Sequence, residues 1–224
     1  MTQIFIIGFG KFGKLALSQM RRLGRESRIW IIDRDPDVLA SERPLAGIRV
    51  LADGPRFLAE YQQWIGDEDW IIPALPIHLA WKWLDLNLKT VRSHKNIAPP
   101  LHLGDGLPFS RLSGEGLLVS YATFLCPENC PAPLRICFKT KEKRSAPLWK
   151  ILAERDGLKG SLTVIESRQM APGVGGYPFK ELRRLPAQSQ NSRSPFYLAT
   201  ACRCHGIING LKWSGKKISG NNSR

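Results

Sequence analysis

The chain has 224 residues, 43% hydrophobic and 23% charged, an ordinary globular composition with enough apolar residues to bury a core. Its net charge of +14 is uneven: residues 1–105 hold 14 Lys and Arg against 12 Asp and Glu, and residues 106–224 hold 19 against 7. No apolar run reaches the roughly 18 residues of a membrane span, and no basic region precedes an apolar signal core, so cytoplasmic placement without membrane insertion is expected.

Taken in order, Ile4 to Ile7 is a continuous apolar run that fits a strand buried on both faces of a parallel sheet. It leads directly into Gly8-Phe9-Gly10-Lys11-Phe12-Gly13, a G-x-G-x-x-G at a strand-to-helix junction. In such a turn the first glycine permits the tight bend, the second lets a pyrophosphate approach the backbone, and the third lets helix and strand pack closely. The helix start then offers amide donors and a positive dipole end to phosphates. A helix over about 11–23 follows, ending at Gly24. The next apolar run, Ile29 to Ile32, ends on Asp33, where an acidic side chain accepts hydrogen bonds from adenosine ribose hydroxyls. Asp33 disfavours a 2′-phosphate and so favours NAD over NADP, tempered by the adjacent Arg34.

Asp35-Pro36 opens a short helix, Ile48 to Leu51 is a third strand, and Ala52-Asp53-Gly54 follows it. A helix near Arg56–Trp64, a fourth strand Trp70–Leu75, a helix Leu79–Leu88 and a fifth strand Pro99–Leu103 complete the first part. Strands alternating with helices at this spacing predict a doubly wound parallel sheet. His78, at the carboxyl end of the fourth strand, is the one candidate proton donor or acceptor for hydride chemistry. Its alternative is a helix-start histidine with structural hydrogen bonds.

The Gly-Phe-Gly-Lys-Phe-Gly turn, followed by Ile-Ile-Asp-Arg-Asp-Pro, resembles the nucleotide-binding N-terminal domain of TrkA-type, RCK potassium-transport regulators. The resemblance covers roughly residues 2–80. It implies a Rossmann domain holding NAD(H) or another adenine nucleotide through Gly8, Gly10, Lys11, Phe12, Gly13, Asp33 and Asp53, and it suggests a homodimer.

All five cysteines lie beyond residue 105, as C-x3-C-x6-C (Cys126, Cys130, Cys137) and then Cys202-Arg203-Cys204-His205. Thiolates are soft ligands for zinc or an iron–sulfur cluster, and two local groups joined by a fold complete a four-ligand site. Cys126, Cys130, Cys202 and Cys204 are the expected ligands. Cys137 and His205 are further candidates, Cys137 lying inside an apolar strand and so the outsider. The alternative is a set of unrelated buried thiols. Between the cysteines come strand-like Gly116–Phe124, a charged turn Lys139–Arg144, a helix Leu148–Arg155, a strand Leu162–Glu166 and a glycine turn Ala171–Gly176. A helix Phe179–Leu185, a polar loop over 186–195 and a final strand Phe196–Ala201 follow.

The expected architecture is therefore a doubly wound Rossmann domain over 1–105, a smaller basic, cysteine-containing α+β domain over 106–213, and a disordered basic tail over 214–224. The expected function is an NAD(H)-binding, nucleotide- and redox-responsive regulator with a cysteine-ligated metal. The alternatives are an NAD-dependent oxidoreductase and, third, a nucleic-acid-binding regulator. The basic charges are scattered, without a helix-turn-helix or RNP-like pattern, so a solvated surface or an acidic protein partner fits them better than nucleic acid.

Overall fold

The computed structural model describes residues 2–24, 27–41, 47–89, 91–133, 135–155, 161–192 and 195–217. In chain order the elements are β1 (Gln3–Ile7), α1 (Lys11–Arg22), β2 (Arg28–Asp33), α2 (Pro36–Ala40), β3 (Ile48–Leu51), α3 (Gly54–Glu60), β4 (Trp70–Pro73), α4 (Leu79–Leu88), β5 (Arg92–Ile97), β6 (Phe109–Ser113) and β7 (Gly116–Ser120). They continue with α5 (Leu148–Ala153), β8 (Leu162–Glu166), β9 (Arg168–Ala171), β10 (Val174–Pro178), α6 (Lys180–Arg183), α7 (Leu185–Asn191), β11 (Phe196–Ala201) and β12 (His205–Lys217).

The first sheet runs β3-β2-β1-β4-β10-β9. Its first four strands are parallel, with Ile4 opposite Ile29 and Trp70, and Ile7 opposite Ile32 and Pro73. Alternate residues of β1 serve opposite faces, as a strand's period of two requires. Ile4 and Ile6 pack with Ala16, Leu17 and Met20 of α1, whereas Phe5 and Ile7 pack toward Phe57 and Leu58 of α3 and the tryptophans of α4.

The second sheet runs β6-β7-β12-β11-β8, and β5 also pairs with β12. α4 is buried between the two sheets: Trp81, Trp83, Leu84 and Leu88 share one core with Phe5 and Ile71 of the first sheet and Phe196, Leu198 and Leu211 of the second. The far face of the second sheet is covered by Leu148 and Leu152 of α5.

This is not a doubly wound parallel sheet followed by a separate cysteine domain. Both sheets are mixed, and strands from each half of the chain enter both. β10 joins β4 in the antiparallel sense, with Tyr177 opposite Ile71, and β9 pairs antiparallel with β10. The expected glycine turn over Ala171–Gly176 is the turn of a β9–β10 hairpin, whose strands the sequence reading did not foresee. Gly173 turns the chain at φ +75° after Pro172, a proline–glycine pair suited to a tight turn. Gly176 lies so close to β4 that a Cβ there would stand 2.7 Å from the Ile71 carbonyl oxygen.

Other elements also differ from the sequence reading. Pro99–Leu103 is not a strand; Leu101–Gly104 forms a short 3₁₀ turn, since Pro99 and Pro100 have no amide to give a ladder. Polar Arg92–Ile97 is the strand there, held by β12. α7 occupies most of the expected loop over 186–195, with Pro186 in its first turn. Residues 214–217 complete β12, while 218–224 of the expected tail lie outside the described residues.

Candidate functional site

The glycine turn sits at the carboxyl end of β1. Gly8 has φ +97°, and its amide donates to the Ile32 carbonyl at 2.7 Å. A Cβ on Gly13 would fall 2.1 Å from the Gly8 carbonyl oxygen, so helix and turn touch there and only glycine fits. Gly10 is the opposite case: a Cβ would meet nothing within 4 Å. It caps α1, whose first turn has no side-chain cap and no acidic residue. The turn thus presents amide donors and a dipole end to open space, the requirement for an anionic ligand.

Asp33 closes the turn from β2. Its Oδ2 accepts from the Phe9 amide at 2.6 Å and its Oδ1 from the Asp35 amide at 3.0 Å. Arg34 beside it is exposed. Asp53, one strand further over, caps α3 by accepting from the Arg56 amide at 3.1 Å. Gly8, Gly10, Lys11, Phe12, Gly13 and Asp33 therefore share one rim, and Asp53 is committed to a helix start beside it.

The thiols assemble across from that rim. Cys126, Cys130 and Cys137 lie on the irregular connection from Tyr121 to Pro147, longer than the roughly 15 residues beyond which structureless loops are uncommon. Cys202 to His205 form the tight connection between β11 and β12, closed by the Cys202 amide on the His205 carbonyl at 2.9 Å. The Leu148 amide donates to the Arg203 carbonyl at 3.0 Å, so the start of α5 pins this turn. Cys126 Sγ stands 3.4 Å from His205 Nε2, and Cys202 Sγ 3.8 Å from His205 Nδ1. Four cysteines and His205 line one cavity of about 410 Å³, together with Phe12 of the glycine turn and Pro73 at the end of β4. Cys137 is buried and lines a neighbouring cavity of about 340 Å³ with Tyr121 and Arg144.

The sulfurs are set among donors. Backbone amides reach Cys130 Sγ from Ala132 (3.4 Å) and Cys202 Sγ from Cys204 (3.4 Å) and His205 (3.3 Å). The Arg144 guanidinium donates to Cys204 Sγ at 2.7 Å. The hydrogen bond from Cys204, aided by His205, holds the Cys202 thiol well below the usual range despite its burial. That same shared proton, with burial, pushes Cys204 up. Burial and then the neighbouring sulfurs raise Cys126. Burial acts to raise Cys137 as well, but donors from Thr140 and Lys139, with Arg144, outweigh it and bring the thiol to about 7. Ionised Cys202 thus keeps the proton on Cys204, and the neighbouring sulfurs act against ionisation of Cys126. Among the described residues, no group of three or more His, Cys, Asp or Glu is gathered as an ion-holding set with the side chains as they stand.

Two residues that sequence reasoning passed over hold the thiol loop in place, and one of them ties it to the glycine turn. Glu128, between Cys126 and Cys130, forms an ion pair with Lys11 of the glycine turn. Gln169 of β9 donates to the Cys130 carbonyl at 2.9 Å, and the Gly173 amide does so at 3.0 Å. An acid flanked by two candidate ligands was the available signal for Glu128.

His78 stands apart from these thiols. It is buried; Nδ1 contacts Asn209 Oδ1 and Nε2 contacts Thr200 Oγ1, both at 2.8 Å, joining α4 to the second sheet. Both ring nitrogens are occupied, as a structural histidine requires. Burial lowers its pKa to about 4, with Asn209 partly opposing. The unfolded chain, with an ordinary histidine pKa near 6.5, binds the proton first, so folding stability is complete above pH 6.5 and declines as pH falls toward 4. Urea unfolding is expected to show this loss, up to about 3 kcal/mol, and His78→Gln is expected to flatten that part of the profile. An equally steep profile in the variant rejects the assignment.

A family described as AF_1314_C, uncharacterized protein, C-terminal domain, matches residues 78–214. An uncharacterized protein of Archaeoglobus fulgidus is 34% identical over 224 residues, covering 92% of this chain and 98% of the relative. Among the described residues no helix is long and apolar enough to cross a membrane.

Proposed function

The chain belongs to the AF_1314_C family, and for this member we propose a regulatory protein that binds NAD(H) at the glycine turn and a metal at the thiols. The observation that carries the reading is the shared cavity, which takes Phe12 from the nucleotide turn and Cys126, Cys130, Cys202, Cys204 and His205 from the thiol segments. Gly10 leaves room for a pyrophosphate, α1 offers its uncapped start, and Asp33 is the acceptor for ribose hydroxyls. Metal ligation falls to Cys126, Cys130, Cys202 and Cys204, with His205 as the exchangeable fifth donor. The donor set suits zinc or an iron–sulfur cluster, and the amide–sulfur bonds are of the kind that tune a cluster's potential. A bound metal would supply either structural cross-linking or a redox-sensitive centre.

Protein purified without oxygen is expected to bind NADH in a fluorescence titration. It is also expected to contain near-stoichiometric metal, with acid-labile sulfide and visible absorbance if the metal is a cluster. Absence of both nucleotide binding and metal rejects the reading. A second reading, an NAD-dependent oxidoreductase, is favoured by Pro73, which carries the cavity across the end of β4 toward the glycine turn. NADH consumption with an added acceptor tests it.

A further inference from the structure

We infer that Glu128 is a built-in competitor for the phosphate-binding end of the nucleotide site, and that the Cys126 end of its loop is a cover released when an anionic ligand takes the place of the Glu128 carboxylate. This rests on the nucleotide reading above and adds the regulation of that site.

Lys11 is the first residue of α1, next to the open Gly10, and its ammonium is paired with the Glu128 carboxylate. None of the residues in the first turn of that helix is acidic. Glu128 thus supplies, from the thiol loop, the negative charge that a helix start and a lysine call for. Both partners are exposed, Lys11 by 69% and Glu128 by 51%, so the pair is of the weak, solvent-screened kind. A pyrophosphate brings two negative charges and accepts from the free amides as well, so it displaces a lone carboxylate.

The loop has a second anchor that does not depend on charge. Its Cys130 carbonyl accepts from the Gly173 amide and the Gln169 side chain. The backbone of Glu128 lies so close to Gly173 that a Cβ there would fall 1.8 Å from the Glu128 carbonyl oxygen. Breaking the Lys11 pair therefore frees the Glu128 side chain and the Cys126 end of the loop, while the β9–β10 hairpin keeps the backbone from Glu128 to Cys130 seated. Because Cys126 lies on the freed side of Glu128, nucleotide binding and access to its sulfur are linked. Linkage is reciprocal: whatever the nucleotide gains by losing Glu128, the loop loses by admitting the nucleotide.

The test is calorimetric titration of NADH into the wild-type protein and Glu128→Gln, paired with N-ethylmaleimide alkylation of Cys126 and Cys130 followed by peptide mass. Glu128→Gln is expected to bind NADH about two- to five-fold tighter, the range a surface ion pair allows. In the wild-type protein, saturating NADH is expected to speed alkylation of Cys126 several-fold and to leave Cys130, on the seated side, unchanged. In Glu128→Gln alkylation of Cys126 is expected to be fast already and indifferent to NADH. If the wild-type protein binds NADH but the variant's affinity and the Cys126 alkylation rates are unchanged, the competitor is overturned and the nucleotide reading stands. If the wild-type protein and the variant both fail to bind NADH, the nucleotide reading falls and takes this inference with it.

Discussion

Gly10→Val is expected to cut NADH affinity by at least about a hundred-fold while leaving the melting temperature within about 2 °C. The two halves of that result have separate causes. A Cβ at Gly10 would meet nothing within 4 Å, so the folded chain accommodates the substitution at the cost of an ordinary surface change, about 0.5 kcal/mol. The space it fills is the space a pyrophosphate needs. Hydrogen bonds to a charged group contribute about 1.5–3 kcal/mol each, and losing two gives the stated loss of affinity. Gly13→Ala supplies the contrast. Its Cβ would fall 2.1 Å from the Gly8 carbonyl oxygen, so α1 must shift and the protein is expected to lose about 3 kcal/mol, or roughly 6–12 °C. Unchanged NADH affinity in Gly10→Val sinks the pyrophosphate assignment.

The second large effect concerns the thiols. Removing metal with a chelator, or substituting Cys202→Ser, is expected to lower the melting temperature by about 10 °C or more and to open residues 121–147 to protease. Among its described residues this connection holds one isolated bridge, Ile136 to Lys143, as regular pairing. Its order rests on backbone contacts to the β9–β10 hairpin, on the Glu128–Lys11 pair, on Arg144 and Arg203 contacts with the β11–β12 turn, and on whatever links its sulfurs to that turn. Structural zinc contributes about 10–16 kcal/mol where folding depends on it wholly. Here the cores around α4 and α5 stand independently, so a third of that is a reasonable share. Cys137→Ser is expected to leave metal content intact, because its sulfur lines a different cavity and is held by the Thr140 amide at 3.5 Å. Identical melting with chelator, without it and in Cys202→Ser removes the metal from the argument.

Legibility in the sequence followed physical causes. From Gln3 to Asp33 the apolar runs, the glycine spacing and the terminal acid are local signals, and strand, turn, helix and strand all stand where those signals put them. The gathering of Cys126, Cys130, Cys202, Cys204 and His205 at one cavity was foreshadowed by their clustering in the chain. The β9–β10 hairpin was illegible because its glycines answer to distant neighbours, Gly176 to Ile71 of β4 and Gly173 to the Glu128 backbone. β5 and the end of β12 are polar, and each is a strand because it pairs with the other; propensity carries little information for such segments. Glu128 was passed over because its partner, Lys11, is distant in sequence.

The interleaving of the two sheets makes the chain one folding unit despite its change of charge near residue 105. Cut there, the first piece would keep β5 without β12, and would expose the β4 edge that β10 normally covers. The apolar face that α4 turns to Phe196, Leu198 and Leu211 would be bare. An open strand edge beside exposed tryptophans favours self-association over folding. Glycine turn and thiol turn therefore fold and are lost together, and neither is a portable module.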